Sequence, residues 1–264
     1  GYGALSSEDD TDGTVAVGYK ALEDQNVDAA ENTAVGYQAA ANLSTGQYNC
    51  VLGYNAAGAG VVTGDQNIVI GNAAGYDLTS GHSNVLVGGN AGGNLTTSQD
   101  NVAIGRNALI TAAAAHNYNV AIGAYALNTE NSGADGCVAV GYKALQDQDV
   151  DGAGNTAVGY QAGLNLTTGQ YSTYVGYNAG GLGTVTGNSN TVLGYSAAYD
   201  LTSGADNVVI GVNAAQNFTA NNSNVVIGKD AMEAANAGEH YNVVIGDSAL
   251  TTLDDPNGDG NVAI

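Results

Sequence analysis

The sequence predicts an all-β fold: a parallel β-solenoid, or β-roll, of about fifteen coils with 17 to 18 residues in each. Three observations lead to this prediction. One short motif recurs along the whole chain, apolar residues alternate inside it, and turn-forming stretches separate its copies. A single coil cannot bury its apolar residues, whereas stacked coils form a continuous core and pair their backbones with one another.

Each copy of the motif contains a glycine that follows a short apolar run, and we call these residues the marker glycines. They are Gly1, Gly18, Gly36, Gly53, Gly71, Gly88, Gly105, Gly123, Gly141, Gly159, Gly176, Gly194, Gly211, Gly228 and Gly246. Positions in a coil are counted from the marker glycine, so that −1 precedes it and +1 follows it. From Gly18 onward position −1 is Val, Ile or Leu, position +3 is Ala, and position −4 is usually Asn, with Thr14, Cys137 and Ser172 as exceptions.

Positions −3 to −1 alternate as a short β-strand does, so −3 and −1 share one face and −2 has the other. We expect the Val, Ile and Leu row at −1 and the Ala row at +3 to lie inside the coils. We expect the Asn row at −4 to bind turn backbone groups through side-chain ladders. A second apolar position, ten residues before a marker glycine, predicts another short strand; it is occupied by Leu43, Leu78, Leu95, Leu166, Leu201 and Phe218.

A longer period lies on top of the coils. The octapeptide NTAVGYQA occurs at residues 32–39 and again at 155–162, and Gly18 and Gly141 are likewise 123 residues apart (141 − 18). Seven coils therefore form a super-repeat that occurs about twice, at approximately 18–140 and 141–263. We predict that residues 1–264 are a single repetitive segment, taken from a longer array.

Composition excludes some classes of partner. The chain has four Lys and Arg residues against 25 Asp and Glu residues, a formal net charge of −21, so its surface repels the phosphates of nucleic acid. No run of about 18 apolar residues is present, so we expect no membrane insertion by this segment.

The motif N-V-A-I-G-x-x-A, read at Asn101–Ala108 and Asn119–Ala126, resembles the head repeat of YadA-like trimeric autotransporter adhesins and related repeats of phage tail fibres. The resemblance covers essentially the whole chain. It implies a left-handed parallel β-roll, a homotrimer, and a role in attachment at the surface of a cell or virion, where the ligand would be a surface glycan or another host receptor. The coils of this chain are longer than those of the family, which predicts longer turns or an additional face.

Acidic loops predict bound calcium. Residues 147–152 read D-x-D-x-D-G and residues 255–260 read D-x-N-x-D-G, which places oxygen ligands around a glycine turn as calcium loops do. No bidentate Glu follows, so these are not EF-hands, and the alternative is that they are solvated acidic turns. The predicted ligands of Ca²⁺ are Asp10, Asp12, Asp24, Asp28, Asp147, Asp149, Asp151, Asp255, Asn257 and Asp259.

Tyrosine recurs at position +1 in four successive coils, twice along the chain. On a solenoid such a row forms an aromatic ladder, which could contact sugar rings, pack on itself or pack against a neighbouring chain. The predicted ligand-binding residues are Tyr19, Tyr37, Tyr54, Tyr142, Tyr160, Tyr177 and Tyr195, and Tyr2 extends the first ladder.

Nothing in the sequence predicts catalysis. His82, His116 and His240 stand alone in turn regions, and no G-x-S-x-G or zinc-ligand spacing accompanies them. The leading hypothesis is therefore a structural, non-enzymatic, extracellular fibre segment for surface attachment. The alternatives are a calcium-dependent carbohydrate-binding solenoid and a self-assembling extracellular filament.

Overall fold

A computed structural model of the chain describes residues 1–6, 13–25, 31–110, 116–128, 135–149, 153–181, 183–235, 238–251 and 259–264. These ranges contain fifteen strands and no helix, and therefore no helix that could cross a membrane. The strands are β1 (Val15–Val17), β2 (Thr33–Val35), β3 (Cys50–Leu52), β4 (Ile68–Ile70), β5 (Val85–Val87), β6 (Val102–Ile104), β7 (Val120–Ile122), β8 (Val138–Val140), β9 (Thr156–Val158), β10 (Thr173–Val175), β11 (Thr191–Leu193), β12 (Val208–Ile210), β13 (Val225–Ile227), β14 (Val243–Ile245) and β15 (Val262–Ala263).

The strands belong to two compact units, Gly1–Asp135 with β1–β7 and Gly136–Ile264 with β8–β15. Within each unit, consecutive strands pair in parallel and in register, so that equal positions of the motif lie opposite each other. Val102, for example, lies opposite Val120. The predicted all-β parallel solenoid is therefore confirmed, while its handedness, the trimer and the grouping into super-repeats stay predictions.

The prediction for the −1 row is wrong, because the strands bury position −2 instead. Ala103 in β6 is fully buried, whereas its neighbour Ile104 at −1 is 38% exposed, and Leu193 at −1 of β11 is 45% exposed. Alternation fixes that −1 and −2 face opposite sides, but it does not say which side is the interior. The interior is narrow and is filled by −2, by the Ala row at +3, which is buried as expected, and by position +4.

Positions −2 and +4 share the same interior layer, and their sizes compensate. The small Ala121 at −2 occurs in the same coil as Leu127 at +4, and both are fully buried. In the second unit the large Tyr174 takes position −2, and the neighbouring +4 positions are Gly163 and Gly180. A Cβ atom on Gly180 would lie 2.3 Å from Cε1 of Tyr174, so the glycine makes room for the ring.

The second short strand predicted in each coil is also wrong. Leu78, Leu95, Leu201 and the other residues of that row are buried, but the described residues there form only two isolated bridges, Leu43 to Val62 and Leu166 to Val185. In each coil this apolar position lies three residues after position +4, where the backbone is left-handed, and polar turn residues follow the apolar position. The extended stretch is consequently too short for a ladder.

Each coil turns sharply after its strand. The marker glycines from Gly18 to Gly246 have φ between 131° and 146°, a region open to glycine alone. Positions +2, +4 and −5 are left-handed as well, and in many coils a residue other than glycine occupies them, such as Asn55, Ala57 and Tyr48. The turns therefore bring the chain back to the same place in every coil, which is what aligns the rows of side chains described next.

Candidate functional site

The buried Asn row holds successive coils in register. Oδ1 of Asn84 accepts hydrogen bonds from the backbone N–H and from Nδ2 of Asn101 at 3.1 and 3.0 Å, and Nδ2 of Asn84 donates to the carbonyl of Ser98 at 2.8 Å. The same pattern continues along each unit, and in the second unit the hydroxyl of Ser172 accepts the N–H of Asn190 at 3.0 Å. The predicted Asn ladder is confirmed.

A second polar ladder runs beside the first, at position −6, and it is not among the features predicted from the sequence. Oδ1 of Asp65 accepts the backbone N–H of Gln47 at 2.8 Å, and Oδ1 of Asn188 accepts that of Gln170 at 2.8 Å. Further pairs follow the same rule, including Nδ1 of His240, which accepts the N–H of Asn222 at 3.0 Å. The signal was available, because Asp, Asn, Gln and His recur two residues before the Asn row.

The structure brings the predicted tyrosines together as two stacked ladders. In the first unit the ring centroids of Tyr2, Tyr19, Tyr37 and Tyr54 are 5.9, 5.1 and 5.1 Å apart in succession. In the second unit those of Tyr142, Tyr160, Tyr177 and Tyr195 are 5.3, 4.8 and 5.2 Å apart. An inner ring has a neighbour on both faces, so it presents its edge and its hydroxyl to a ligand, and sugar stacking on a ring face is open only at the ends of a ladder.

All four basic residues of the chain lie directly after a marker glycine, at position +1 or +2. We call the side chains at positions +1 and +2 of each unit, which include the tyrosine ladders, the tyrosine ridge. Nζ of Lys20 lies 5.8 Å from the ring centroid of Tyr19, and Nζ of Lys143 lies 5.6 Å from that of Tyr142. Lys20 also pairs with Glu23 at 2.9 Å, and this hydrogen bond raises the pKa of the Lys20 ammonium group. Sequence patterns alone do not connect the cations with the tyrosines, because only the alignment of the coils brings the two groups together.

Lys229, which is exposed, forms an ion pair with the half-buried Asp230 on the tyrosine ridge of the second unit. The contact raises the pKa of the Lys229 ammonium group and lowers the pKa of the Asp230 carboxyl group. Since the Lys229 ammonium group is exposed to solvent, the pair contributes little to stability. In the first unit Arg106 takes the equivalent position and its guanidinium lies 4.7 Å from the ring centroid of Tyr125.

The strands present an apolar surface to the outside. We call the side chains at −3 and −1 of β1–β15 the outer strand face; they are Val, Ile, Leu, Thr and Cys50, and none of them is charged. Val17, Val35, Ile68, Ile122, Val158 and Ile245 are among its exposed members. A contiguous apolar patch on a protein surface usually marks an interaction site, whereas single exposed apolar residues are common on any surface.

The predicted calcium ligands are only partly visible. Asp24, Asp147, Asp149 and Asp259 belong to the described residues, while Asp10, Asp12, Asp28, Asp151, Asp255 and Asn257 lie outside them. Oδ1 of Asp259 accepts the backbone N–H of His240 at 2.7 Å. Within the described ranges no three His, Cys, Asp or Glu side chains come together as a metal site. Calcium binding therefore stays a prediction.

The two cysteines are free thiols in different surroundings. Cys137 is fully buried at position −4, where its sulfur accepts a hydrogen bond from Nε2 of Gln148 at 3.1 Å. Cys50 is half-buried on the outer strand face, at −3 of β3. The reactivity of the Cys50 thiol therefore reports whether the outer strand face is covered.

No known protein family, curated protein or solved structure matches this chain.

Proposed function

We propose that this chain is a structural, non-enzymatic segment of an extracellular fibre, and that copies of it associate as a homotrimer through the outer strand face. The fibre would serve attachment to a surface. The solenoid suits a structural role, because within each unit neighbouring coils are joined by parallel strand pairing and by the Asn ladder, and in part of the coils by the second polar ladder as well.

The observation that carries the proposal is the lack of charge on the outer strand face. The chain has a net charge of −21, so two copies repel each other over most of their surface. Across the fifteen described strands, positions −3 and −1 hold no charged residue, and side chains such as Ile104 and Leu193 remain partly exposed. Contact there removes apolar surface from water, a favourable contribution of about 25 cal/mol per Å² that opposes the free-energy cost of association.

The partner that this face fits is another copy of the same chain. The side chains at positions −3 and −1 of the outer strand face repeat at the spacing of paired parallel strands. A second copy therefore presents side chains at the same spacing along each unit. The number of copies, three, follows from the resemblance to the heads of trimeric adhesins.

The ridge of tyrosines and cations supports the role in attachment. It offers ring edges, hydroxyls and the ammonium group of Lys143 on the exterior, all of which can bind glycans or protein receptors. These ladders also favour the alternative, a calcium-dependent carbohydrate-binding solenoid, which differs from the fibre in needing no self-association.

Sedimentation equilibrium of the full chain tests the proposal. We expect a trimer for the wild type and dissociation for Ile104→Glu combined with Ile122→Glu, because these changes bury charge at the outer strand face. The matched control is Val61→Glu with Tyr118→Glu, which adds the same charge at exposed positions that do not belong to that face. The control should remain a trimer, and circular dichroism should show that both variants are folded.

The Cys50 thiol gives an independent readout. We expect a thiol reagent to modify Cys50 slowly in the wild type and rapidly in the dissociated variant, while buried Cys137 stays unreactive in both. A wild-type monomer, or a folded double variant that is still a trimer, would contradict the proposed interface.

A further inference from the structure

An open cleft of about 310 Å³ lies among turn residues of the first unit, and none of its lining residues belongs to the outer strand face or to the tyrosine ridge. It is lined by Thr63, Gly64, Asp65, Gln66, Ser80 and His82. These residues come from adjacent coils, and Asp65 and His82 occupy the same position, −6, one coil apart. The volume is at the lower end of what small-molecule sites have.

The floor of the cleft is rigid. A Cβ atom on Gly64 would lie 1.9 Å from the carbonyl oxygen of Gly81, so the two backbones are in direct contact. Their carbonyl groups accept hydrogen bonds from the buried amides of Asn49 and Asn67 at 3.0 and 2.9 Å. The Asn ladder therefore holds the floor in place before any ligand arrives, which lowers the entropy that binding costs.

The walls carry polar groups that point outward. Asp65 is oriented by the N–H of Gln47, which binds Oδ1, and among the described residues no hydrogen bond engages its Oδ2 atom. Thr63, Gln66, Ser80 and His82 are exposed and add hydroxyl, amide and imidazole groups. The cleft thus combines donors and acceptors around a single carboxylate.

This chemistry selects one class of ligand. No Lys or Arg lines the cleft, and Asp65 repels anions, so phosphate and carboxylate ligands do not fit. One carboxylate and one imidazole are fewer ligands than a protein metal site supplies. Sugar hydroxyl groups donate and accept at once, which is what mixed donors and acceptors around one carboxylate can satisfy. We propose that this cleft binds a neutral saccharide, with Asp65 accepting hydrogen bonds from its hydroxyl groups.

The chain contains its own matched control for this site. At the equivalent positions of the second unit, 123 residues later (188 − 65), Asn188 replaces Asp65, Ser189 replaces Gln66 and Ala205 replaces His82, while both hydroxyl residues are kept as Thr186 and Ser203. Asn188 accepts the N–H of Gln170 as Asp65 accepts that of Gln47, so the local fold tolerates this change. The second unit is therefore expected to bind poorly at this place.

The test uses the methyl glycosides of glucose, galactose, mannose, N-acetylglucosamine and N-acetylgalactosamine as the probes. Binding is followed by saturation-transfer NMR and by the Hε1 resonance of His82, which His82→Ala identifies among the three histidines. We expect at least one glycoside to bind. Asp65→Asn should weaken it about tenfold or more, because a hydrogen bond to a charged acceptor is lost.

The reverse substitutions, made in the second unit, provide an additional test. Asn188→Asp with Ala205→His should create a second site and raise the number of glycosides bound per chain, and melting curves check that every variant folds. The proposal is overturned if no glycoside binds, if Asp65→Asn with His82→Ala binds equally well, or if ZnCl₂ or CaCl₂ alone moves the His82 resonance while sugars do not. Sedimentation of the same samples measures self-association independently of sugar binding. A monomer that binds sugar would contradict the proposed fibre and would leave the proposed saccharide site intact.

Discussion

At the scale of single residues, the marker glycines set the distance between coils. Gly88 has φ of 137°, and a Cβ atom on it would lie 2.6 Å from the carbonyl oxygen of Gly105. Both the backbone conformation and the close approach therefore exclude any other residue.

The neighbouring glycine provides a control for this requirement. We expect Gly88→Ala to lower the free energy of unfolding by about 3 kcal/mol or more, because strain and overlap add. Gly89→Ala should change it by less than about 0.5 kcal/mol, since nothing lies within 4 Å of the added Cβ atom. Chemical denaturation of the two variants measures the difference, and equal effects would mean that the marker row is not what holds the coils together.

Tyr174 and Gly180 should behave as a coupled pair. At the equivalent positions of the first unit Val51 and Ala57 occur, and Ala57 has φ of 45°, so the backbone at this position accepts alanine. Gly180→Ala should therefore destabilise through overlap with the Tyr174 ring, by about 1 to 3 kcal/mol.

A double-mutant cycle isolates that overlap. Tyr174→Val alone should destabilise by leaving a cavity, and Gly180→Ala added to it should restore stability instead of lowering it further. Additive losses in denaturation experiments would show that the alanine is excluded for another reason.

Burial raises the pKa of the Tyr174 phenol from 10.0 to about 12, although contacts with Ser172 and Asn190 lower it by a smaller amount. Between pH 10 and 12 the unfolded chain loses this proton while the folded chain keeps it, so stability falls as pH rises through that window. We expect the unfolding midpoint to fall more steeply in the wild type than in Tyr174→Val with Gly180→Ala. Equal slopes from pH 9 to 12 would contradict the assignment.

At the scale of elements, the Asn ladder connects short strands that could not be stable alone. Each strand has only three residues or fewer, so strand pairing supplies few hydrogen bonds per coil. The ladder adds buried hydrogen bonds at the point where each strand begins.

Asn84→Ala should cost about 3 kcal/mol, because it leaves the buried carbonyl of Ser98 and the N–H of Asn101 without this partner. Asn84→Ser should cost about half as much, since the hydroxyl of Ser172 performs the same acceptor role in the second unit. Thermal melting of the two variants measures the order, and a serine variant as unstable as the alanine variant would contradict the ladder's acceptor role.

At the scale of the whole molecule, net charge opposes both folding and assembly. With 25 acidic and four basic residues, the carboxylates of the chain repel one another, and a bound divalent cation would relieve the repulsion. This is the physical basis of the calcium prediction for the acidic loops.

We expect CaCl₂ to raise the melting temperature and a chelator to reverse the effect. A site that is saturated a hundredfold above its dissociation constant adds about 2.7 kcal/mol. Asp147→Asn with Asp149→Asn should reduce the calcium effect, and NaCl at equal ionic strength is the control for screening. An equal rise with NaCl would leave the acidic loops as solvated turns.

The features that sequence patterns predicted correctly are those that depend on the spacing of residues along the chain. The coil period, the strand before each marker glycine, the buried Ala row and the Asn ladder all follow from a repeat of 17 to 18 residues, because equal positions of stacked coils must lie opposite one another. The tyrosine ladders follow for the same reason.

Other features of the protein are determined by the tertiary structure and do not follow from the spacing of residues along the chain. Alternation in β6 requires Ala103 and Ile104 to face opposite sides, but only the three-dimensional path of the turns shows that Ile104 faces outward. In the same way, Tyr174 is accommodated by glycines of its own coil and of the preceding coil, and the cleft at Asp65 is formed by residues of adjacent coils. These features depend on distances between residues far apart in the chain, which a local pattern does not contain.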